Sequence, residues 1–475
     1  MGRKRVIYQS EALFASRTGL TGNAQQSGSE IDTRLDAMGV TLGPVQIHRV
    51  QSINYSFDIT RQDINQFGQL AAIDRQIIEQ PTVSLDFSYY CETGHNEKVI
   101  GLDVVRMTGN KEDGLYWNTK GLADGTKHSC ISGILKGASR THNLNAVAEA
   151  NPGSLGGDDQ RTDLMTYFIQ TYAEGDDAKG STSSPKSVIS IGNGFLSSYS
   201  ANGSVGDFVT ADVSIEALNM QFENNTLDLI QDPTINEENG RLQYGITGSA
   251  GVGQGAGNAG RINMPEVTDG FTTTDAPEGV SSSTDTPKAL RHGDIQLILS
   301  DVALGHQVTD AAETHAQNFT FSFDLSRTNL ERLGSRFAYA KEIDFPLSAS
   351  CDFNFIVGEQ DAADELNYGA SAAANSSQAE GVEAFLNQGF DKSANLFVRC
   401  FGPSTGAYSA DNNANLDGMG FALLGGKLDS QGYSSSIGDN KTMDISLSSQ
   451  IAGPQDNANG VVLFHIADGG IDNSV

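Results

Sequence analysis

The sequence predicts a mainly β protein built from two homologous domains of half-buried strands, each carrying one short helical element. Three observations predict it. Ile53 to Cys91 recurs without gaps 266 residues later as Phe319 to Val357. Leu196 to Glu216 recurs as Leu428 to Ser448 at a spacing of 232, in the same order along the chain. Within these segments apolar and small polar residues alternate, the period of a strand with one buried and one wet face.

Self-similarity sets the organisation before any local feature does. Ten of the forty aligned pairs from Ser52 to Cys91 are identical, which strand bias alone could produce, but a second block in the same order makes whole domains the duplicated unit. The first domain is expected at 1–231, with long loops over 92–187. A connection rich in Gly, Ser, Thr and Asp follows at 232–285, and the second domain occupies 286–475.

Each copy opens on a strand. Tyr55, Phe57 and Ile59 alternate with Asn54, Ser56 and Asp58, and Phe321, Phe323 and Leu325 with Thr320, Ser322 and Asp324, so both apolar sets are expected inside. A short helical turn is expected next. Thr60 and Ser326 are N-cap types with Asp63 and Asn329 three places on, and Ile64/Phe67 and Leu330/Leu333 are apolar pairs at i, i+3. Gly68 and Gly334 would close the turn in a left-handed conformation. A second alternating strand returns, with Val83, Leu85, Phe87 and Tyr89 inward in one copy and Ala349, Cys351, Phe353 and Phe355 in the other. Within the first copy's loops, Leu164 to Ile169 reads as a further strand.

Composition narrows the function. The chain holds 30 basic and 59 acidic residues, a formal charge of −29, which repels polyanions and argues against ordinary nucleic-acid binding through Lys and Arg. Arg3-Lys4-Arg5 is too small to reverse this. Gln9, Ser10 and Glu11 interrupt the apolar run that an export signal would need, and no stretch approaches the roughly 20 apolar residues of a membrane helix, so no membrane anchor is expected. Cys91, Cys130, Cys351 and Cys400 lack metal or disulfide-scaffold spacing and read as reduced packing residues.

Chemistry-bearing patterns fail one by one. Gly251 to Gly257 resembles a dinucleotide fingerprint only superficially, because Ala256 stands at the last glycine and no helical period follows. Gly125 to Ser129 lacks the spacing of a phosphate loop. The histidines, His48, His95, His128, His142, His292, His306, His315 and His465, form no HExxH pair. Gly156 to Asp159, and Asp301 near Asp310, lack the alternating ligands of a calcium loop. No nucleophile elbow is present. No enzyme activity, metal or cofactor is expected.

The segment from Val50 through Asn54-Tyr55-Ser56-Phe57-Asp58-Ile59-Thr60-Arg61 to Leu70, running into Pro81 to Tyr90, resembles the strand, turn and returning strand of the tail tube (major tail) proteins of tailed bacteriophages. The resemblance covers about forty residues and their echo. It implies a β-sandwich with a small helical element, whose strands join those of neighbouring subunits into a closed tube. Duplicated members, found in long non-contractile tails, form trimeric rings with pseudo-sixfold symmetry. The resemblance also implies a virion tail component assembled in the host cytoplasm. Its partners would be further copies of itself and the tape measure, tail terminator and distal tail proteins, with DNA passing through but not held. The chain departs from that pattern in its long first-copy loops and in lacking an immunoglobulin-like C-terminal decoration domain; the loops would contact adjacent rings or coat the outside.

The polar strand faces point to a location for function. They carry Asp58, Asp86, Asp212 and Glu216 in one copy and Asp324, Asp352 and Asp444 in the other, interleaved with Ser and Thr and without Lys or Arg. A channel that passes DNA without holding it needs such groups, which repel phosphate and give no counterion release. The residues alone leave two readings of this face, the lumen of a tube or the outer surface of an acidic protein. Rival functions are a distal tail or tail-tip ring with the same fold and a β-sandwich surface-binding module, to which the lone Trp117 would contribute.

Overall fold

Alternating runs become strands, and the described residues are almost entirely built of them. The computed structural model describes residues 11–17, 44–92, 94–102, 104–107, 130–134, 165–172, 186–226, 229–231, 233–236, 241–242, 261–267, 289–290, 295–301, 306–308, 315–334, 338, 340–356, 394–401, 418–436, 440–451 and 460–466. The first part contains β1 (Glu11–Arg17), β2 (Val45–Gln46), β3 (Val50–Asp58), β4 (Arg61–Ile64), β5 (Asp74–Ile77), β6 (Thr82–Tyr90), β7 (Val104–Met107), β8 (Met165–Thr171), β9 (Lys186–Ser204), β10 (Thr210–Ala217), β11 (Asn219–Thr226) and β12 (Leu229–Gln231). A short helix spans His95–Val99 and a single tighter helical turn Cys130–Gly133. The connection carries β13 (Ile235–Asn236), β14 (Arg241–Leu242) and β15 (Arg261–Asn263). The remainder contains β16 (Ile295–Asp301), β17 (His306–Val308), β18 (His315–Asp324), β19 (Arg327–Leu330), β20 (Ala340–Ile343), β21 (Leu347–Ile356), β22 (Ala394–Phe401), β23 (Gly418–Ser434), β24 (Thr442–Ile451) and β25 (Gly460–Ile466). Among the described residues no helix is long and apolar enough to cross a membrane.

One antiparallel sheet runs β3-β6-β10-β9-β18-β21-β24-β23 through the middle of the molecule. β9 and β23, 19 and 17 residues long, each leave it and continue into a second sheet. Those outer sheets run β2-β1-β8-β9-β11 and β17-β16-β22-β23-β25, with β7 adding in parallel to β25. The register shifts at Ser214/Ile215 and at Leu428/Ser430 are bulges, the device that bends a strand from one sheet toward another. The layers meet through aromatic side chains: Phe87 lies 6.1 Å from Tyr167 and Phe321 5.4 Å from Phe421, between ring centroids. One contiguous core, from Leu13 to Leu463, spans both parts.

The offsets of 266 and 232 read from the sequence carry the strand pairs of the first part onto those of the second. Phe57 opposite Val83 becomes Phe323 opposite Ala349, and Tyr90 opposite Thr210 becomes Ile356 opposite Thr442. Likewise Asn202 opposite Thr210 becomes Ser434 opposite Thr442. The junction between the parts is the β9–β18 ladder, where Tyr199 stacks on Phe323 at 5.4 Å. Gly203 there lies beneath Phe319, and a Cβ would come within 2.4 Å of the ring, so glycine lets the two strands meet.

Two expectations need correction. The helical turns are hairpins: β4 pairs with β5 and β19 with β20. Asp63, expected to cap a helix, lies opposite Arg75 and binds its guanidinium at 2.7 Å, a cross-strand ion pair that the extended conformation allows. Gly68 and Gly334 do adopt left-handed φ angles of 92° and 90°, in hairpin turns. The second correction concerns burial. Phe321, Phe323 and Leu325 are buried as expected, but Phe57 is 53% and Ile59 37% exposed and Tyr55 is half-buried. The cause is position: β18 lies between β9 and β21, whereas β3 has only β6 beside it among the described residues.

The inward sets of β6 and β21 are buried as expected, Leu164 to Ile169 falls on β8, and all four cysteines are buried and free. Part of the connection packs on the chain itself. Asn193 donates to the Ile235 carbonyl at 2.8 Å and accepts from its N–H at 2.7 Å, and Ile235 and Met264 are buried.

Candidate functional site: the polar face of the central sheet

The central sheet's inward face is occupied by the core, so its other face carries the remaining half of every strand. Alternation and antiparallel register place all seven acidic residues expected from the sequence on this one face. Asp58, Asp86, Asp212, Asp324, Asp352 and Asp444 are exposed. Rows of polar residues cross the strands, such as Ser52-Ser88-Asp212-Ser200-Ser322-Ser350-Ser448 and Asn54-Asp86-Ser214-Ser198-Asp324.

The polar groups bond mainly to one another. Hydroxyl pairs lie at 2.6 Å for Ser52 and Ser88, 2.8 Å for Ser56 and Ser84, 3.0 Å for Ser322 and Ser350, and 2.6 Å for Ser434 and Thr442. The amides of Asn202 and Asn354 donate to Asp212 at 3.2 Å and Asp444 at 2.5 Å. Carboxylates among hydroxyls make a surface of acceptors with weak donors. From β3 to β24 no cation stands within the rows, and the first of them ends on the exposed Lys427 of β23, opposite Ser448.

Basic residues gather at the margins instead. Lys427 lies opposite Ser448 where β23 enters the central sheet, and Arg61, Arg75, Arg327 and Lys341 stand on the hairpins. Glu216 departs from the other six, because it is half-buried and ion-paired with the buried Lys341. Arg327 lies over the Phe195 ring at 4.9 Å and Lys341 at 5.2 Å, so this corner ties the hairpin of the second part to the first.

The hairpins project apolar residues into solvent. Phe67, Leu70 and Leu333 are fully exposed, and Ile73, Ile78 and Phe345 are more than half exposed. An apolar patch of this kind marks a contact surface. Sequence reasoning missed it, having assigned Phe67 and Leu333 to the apolar pairs of helical turns and given the other four no role.

A buried polar cluster in the first part also went unread. The hydroxyls of Tyr89 and Tyr199 donate to one oxygen of the fully buried Glu97, at 2.9 and 3.1 Å, and burial raises that carboxyl's pKa. Nearby, Arg49 bonds Glu92 at 2.5 Å, yet burial still pushes Glu92 up to about 7. Burial, aided by the charge of Arg49, lowers His48 to about 4. The available signal was Tyr89 standing where the second copy has Phe355. Burial holds the Cys91 thiol protonated, which suits packing and not reactivity.

Trp117, His128, His142, His292, Asp310, the acidic loop 156–159, the glycine runs at 125–129 and 251–257 and much of 92–187 and 232–285 lie outside the described residues.

No protein-family model matches the chain, and no curated protein does. Among solved structures it is similar to a chain of the SPP1 tail tube, determined by solid-state NMR and cryo-EM. The identity is 13% over 38% of this chain and 81% of that one, with a TM-score of 0.20. At that score the likeness carries no argument, and the functional reading rests on the chain's own residues.

Proposed function

We propose that the protein is a tail tube subunit of a long non-contractile phage tail, made of two copies of one β-sandwich domain. Three chains close a ring of six such domains, and rings stack into the conduit through which DNA is delivered. The observation that carries this reading is the acidic, hydroxyl-rich face that runs without Lys or Arg from β3 to β24, across strands of both parts, in matching register. Turned toward a lumen, it repels phosphate and offers nothing that would release counterions, so DNA slides and is not retained.

The role is structural and non-enzymatic. The apolar hairpin tips supply contacts between successive rings. The chain works within the virion tail after assembly in the host cytoplasm, alongside tape measure, tail terminator and distal tail proteins. Negative-stain electron microscopy of the purified protein tests the reading. Tubes of indefinite length are expected. A single discrete ring would make it a distal tail component instead, and a monomer at all concentrations and salts would refute both.

A further inference from the structure

The chain contains its own template for meeting a second copy. At the internal junction, β9 of the first part pairs with β18 of the second, with Asn202 opposite Thr320, Ser200 opposite Ser322 and Ser198 opposite Asp324. The counterpart of the β9 edge is the Leu428–Ser434 stretch of β23, and the counterpart of β18 is β3. Among the described residues no strand pairs with either of those edges. They are antiparallel-compatible, lie at opposite ends of one sheet, and expose the side chains that their counterparts bury. Phe57 is 53% exposed where Phe323 is 2%, and Tyr433 is 48% exposed where Ala201 is fully buried.

We infer that β23 of one chain pairs with β3 of the next in the register of the internal junction: Ser434 opposite Asn54, Gly432 opposite Ser56 and Ser430 opposite Asp58. This rests on the proposed ring and specifies its seam. Compensating substitutions fit the pairing. Gly203 and the large Phe319 meet internally, whereas Ser435, which has a Cβ, would meet the smaller Ile53. All three named pairs lie on the polar face, so the acidic and hydroxyl rows continue across the seam without a cation.

The seam differs from its template in one respect. Phe195, which receives Arg327 and Lys341, is replaced by Lys427, and Glu216, which pairs with Lys341, by Ser448. The corner contacts that lock the internal junction are therefore not repeated between chains. The seam relies on the backbone ladder and on Tyr55 opposite Tyr433, with Gln431 opposite Phe57 where Tyr199 stacks on Phe323 internally, and forms only where chains are concentrated or templated.

Paired cysteines read the register, because the four native thiols are buried. In the full chain, Asn54→Cys with Ser434→Cys is compared with Asn54→Cys and Gly432→Cys, whose diagonal separation of about 7–8 Å lies beyond disulfide reach. Both are assembled under reducing conditions, imaged, and then mildly oxidised. If the first pair fails to assemble, Asp58→Cys with Ser430→Cys replaces it. The expected result is chain-to-chain disulfides for the matched pair, accumulating to covalent trimers, and none for the offset pair. Tubes in which the offset pair links instead, in which neither links, or in which only intrachain bonds form, overturn the seam and leave the tube function standing. Matched linkage that closes at another chain number keeps the seam and overturns the trimer.

Discussion

Phe57 and Phe323 are the same residue at counterpart positions in the two copies, and they separate folding from assembly. Phe323 is 2% exposed and stacked on Tyr199, so Phe323→Ala leaves a cavity and is expected to cost about 3–5 kcal/mol of chain stability. Phe57 is 53% exposed, so in a single chain Phe57→Ala forfeits only about half of a phenylalanine's burial, roughly 1 kcal/mol. The other half is realised when β23 of a neighbour covers β3, adding about 1–1.5 kcal/mol per seam, or roughly a 5–12-fold loss in each association step. Urea unfolding of dilute, unassembled protein measures the first quantity, and sedimentation of assembled material against total concentration measures the second. Phe57→Ala should fold almost normally and need several times more protein to assemble. Equal destabilisation by the two variants would refute the edge assignment, as would an unchanged assembly threshold for Phe57→Ala.

Three further outcomes are expected. Asp86→Lys with Asp352→Lys alters exposed counterparts on the polar face and gives six lysines per three-chain ring; tubes should form but retain duplex DNA, with log affinity falling against log salt at a slope of about 5. Unretarded passage with no salt-dependent binding would exclude a lumenal face. Phe67→Ser with Leu70→Ser removes fully exposed apolar groups, so chain stability should change by less than about 0.5 kcal/mol while rings no longer stack, as electron microscopy would record. Glu92 holds its proton in the folded chain up to about pH 7 but loses it near 4.5 when unfolded, so its contribution to stability is complete below 4.5 and declines as pH rises to 7. The stability of Glu92→Gln relative to the parent should therefore climb by about 2–3 kcal/mol across that window, in urea titrations at fixed temperature; a difference that does not vary with pH would exclude the assignment.

Much of the strand framework was legible because alternation at period two survives any surroundings. Val83 to Tyr89 and Ala349 to Phe355 face the core as their pattern requires, and the seven acidic residues share one face for the same reason. Arg61 to Ile64 and Arg327 to Leu330 were misread because four residues fit a helical pair and a strand equally well. The arbitrating contact, Asp63 with Arg75, spans a loop that local reasoning does not cross. Exposure of Phe57 was illegible in principle: its sequence context matches that of Phe323, and only the presence or absence of a neighbouring strand separates them. The Glu97 cluster was within reach, since hydroxyls at Tyr89 and Tyr199 replace Phe355 and Gln431, and a buried hydroxyl requires a partner.

The differences between the copies follow from what each edge must do. The β9 edge is satisfied once, during folding, and can be locked, as Arg327 and Lys341 against Phe195 and Glu216 lock it. The edges of β3 and β23 must stay open in a free chain, where an exposed strand invites uncontrolled pairing. Charges at those edges oppose this: Asp58 ends β3, and Lys427 and Asp429 lie on β23, all exposed. A net charge of −29 adds long-range repulsion between free chains. The same substitution that removes the lock, Lys427 for Phe195, thus also guards the edge. In the proposed ring, duplication supplies two equivalent junctions, and divergence at the corner makes one permanent and leaves the other conditional.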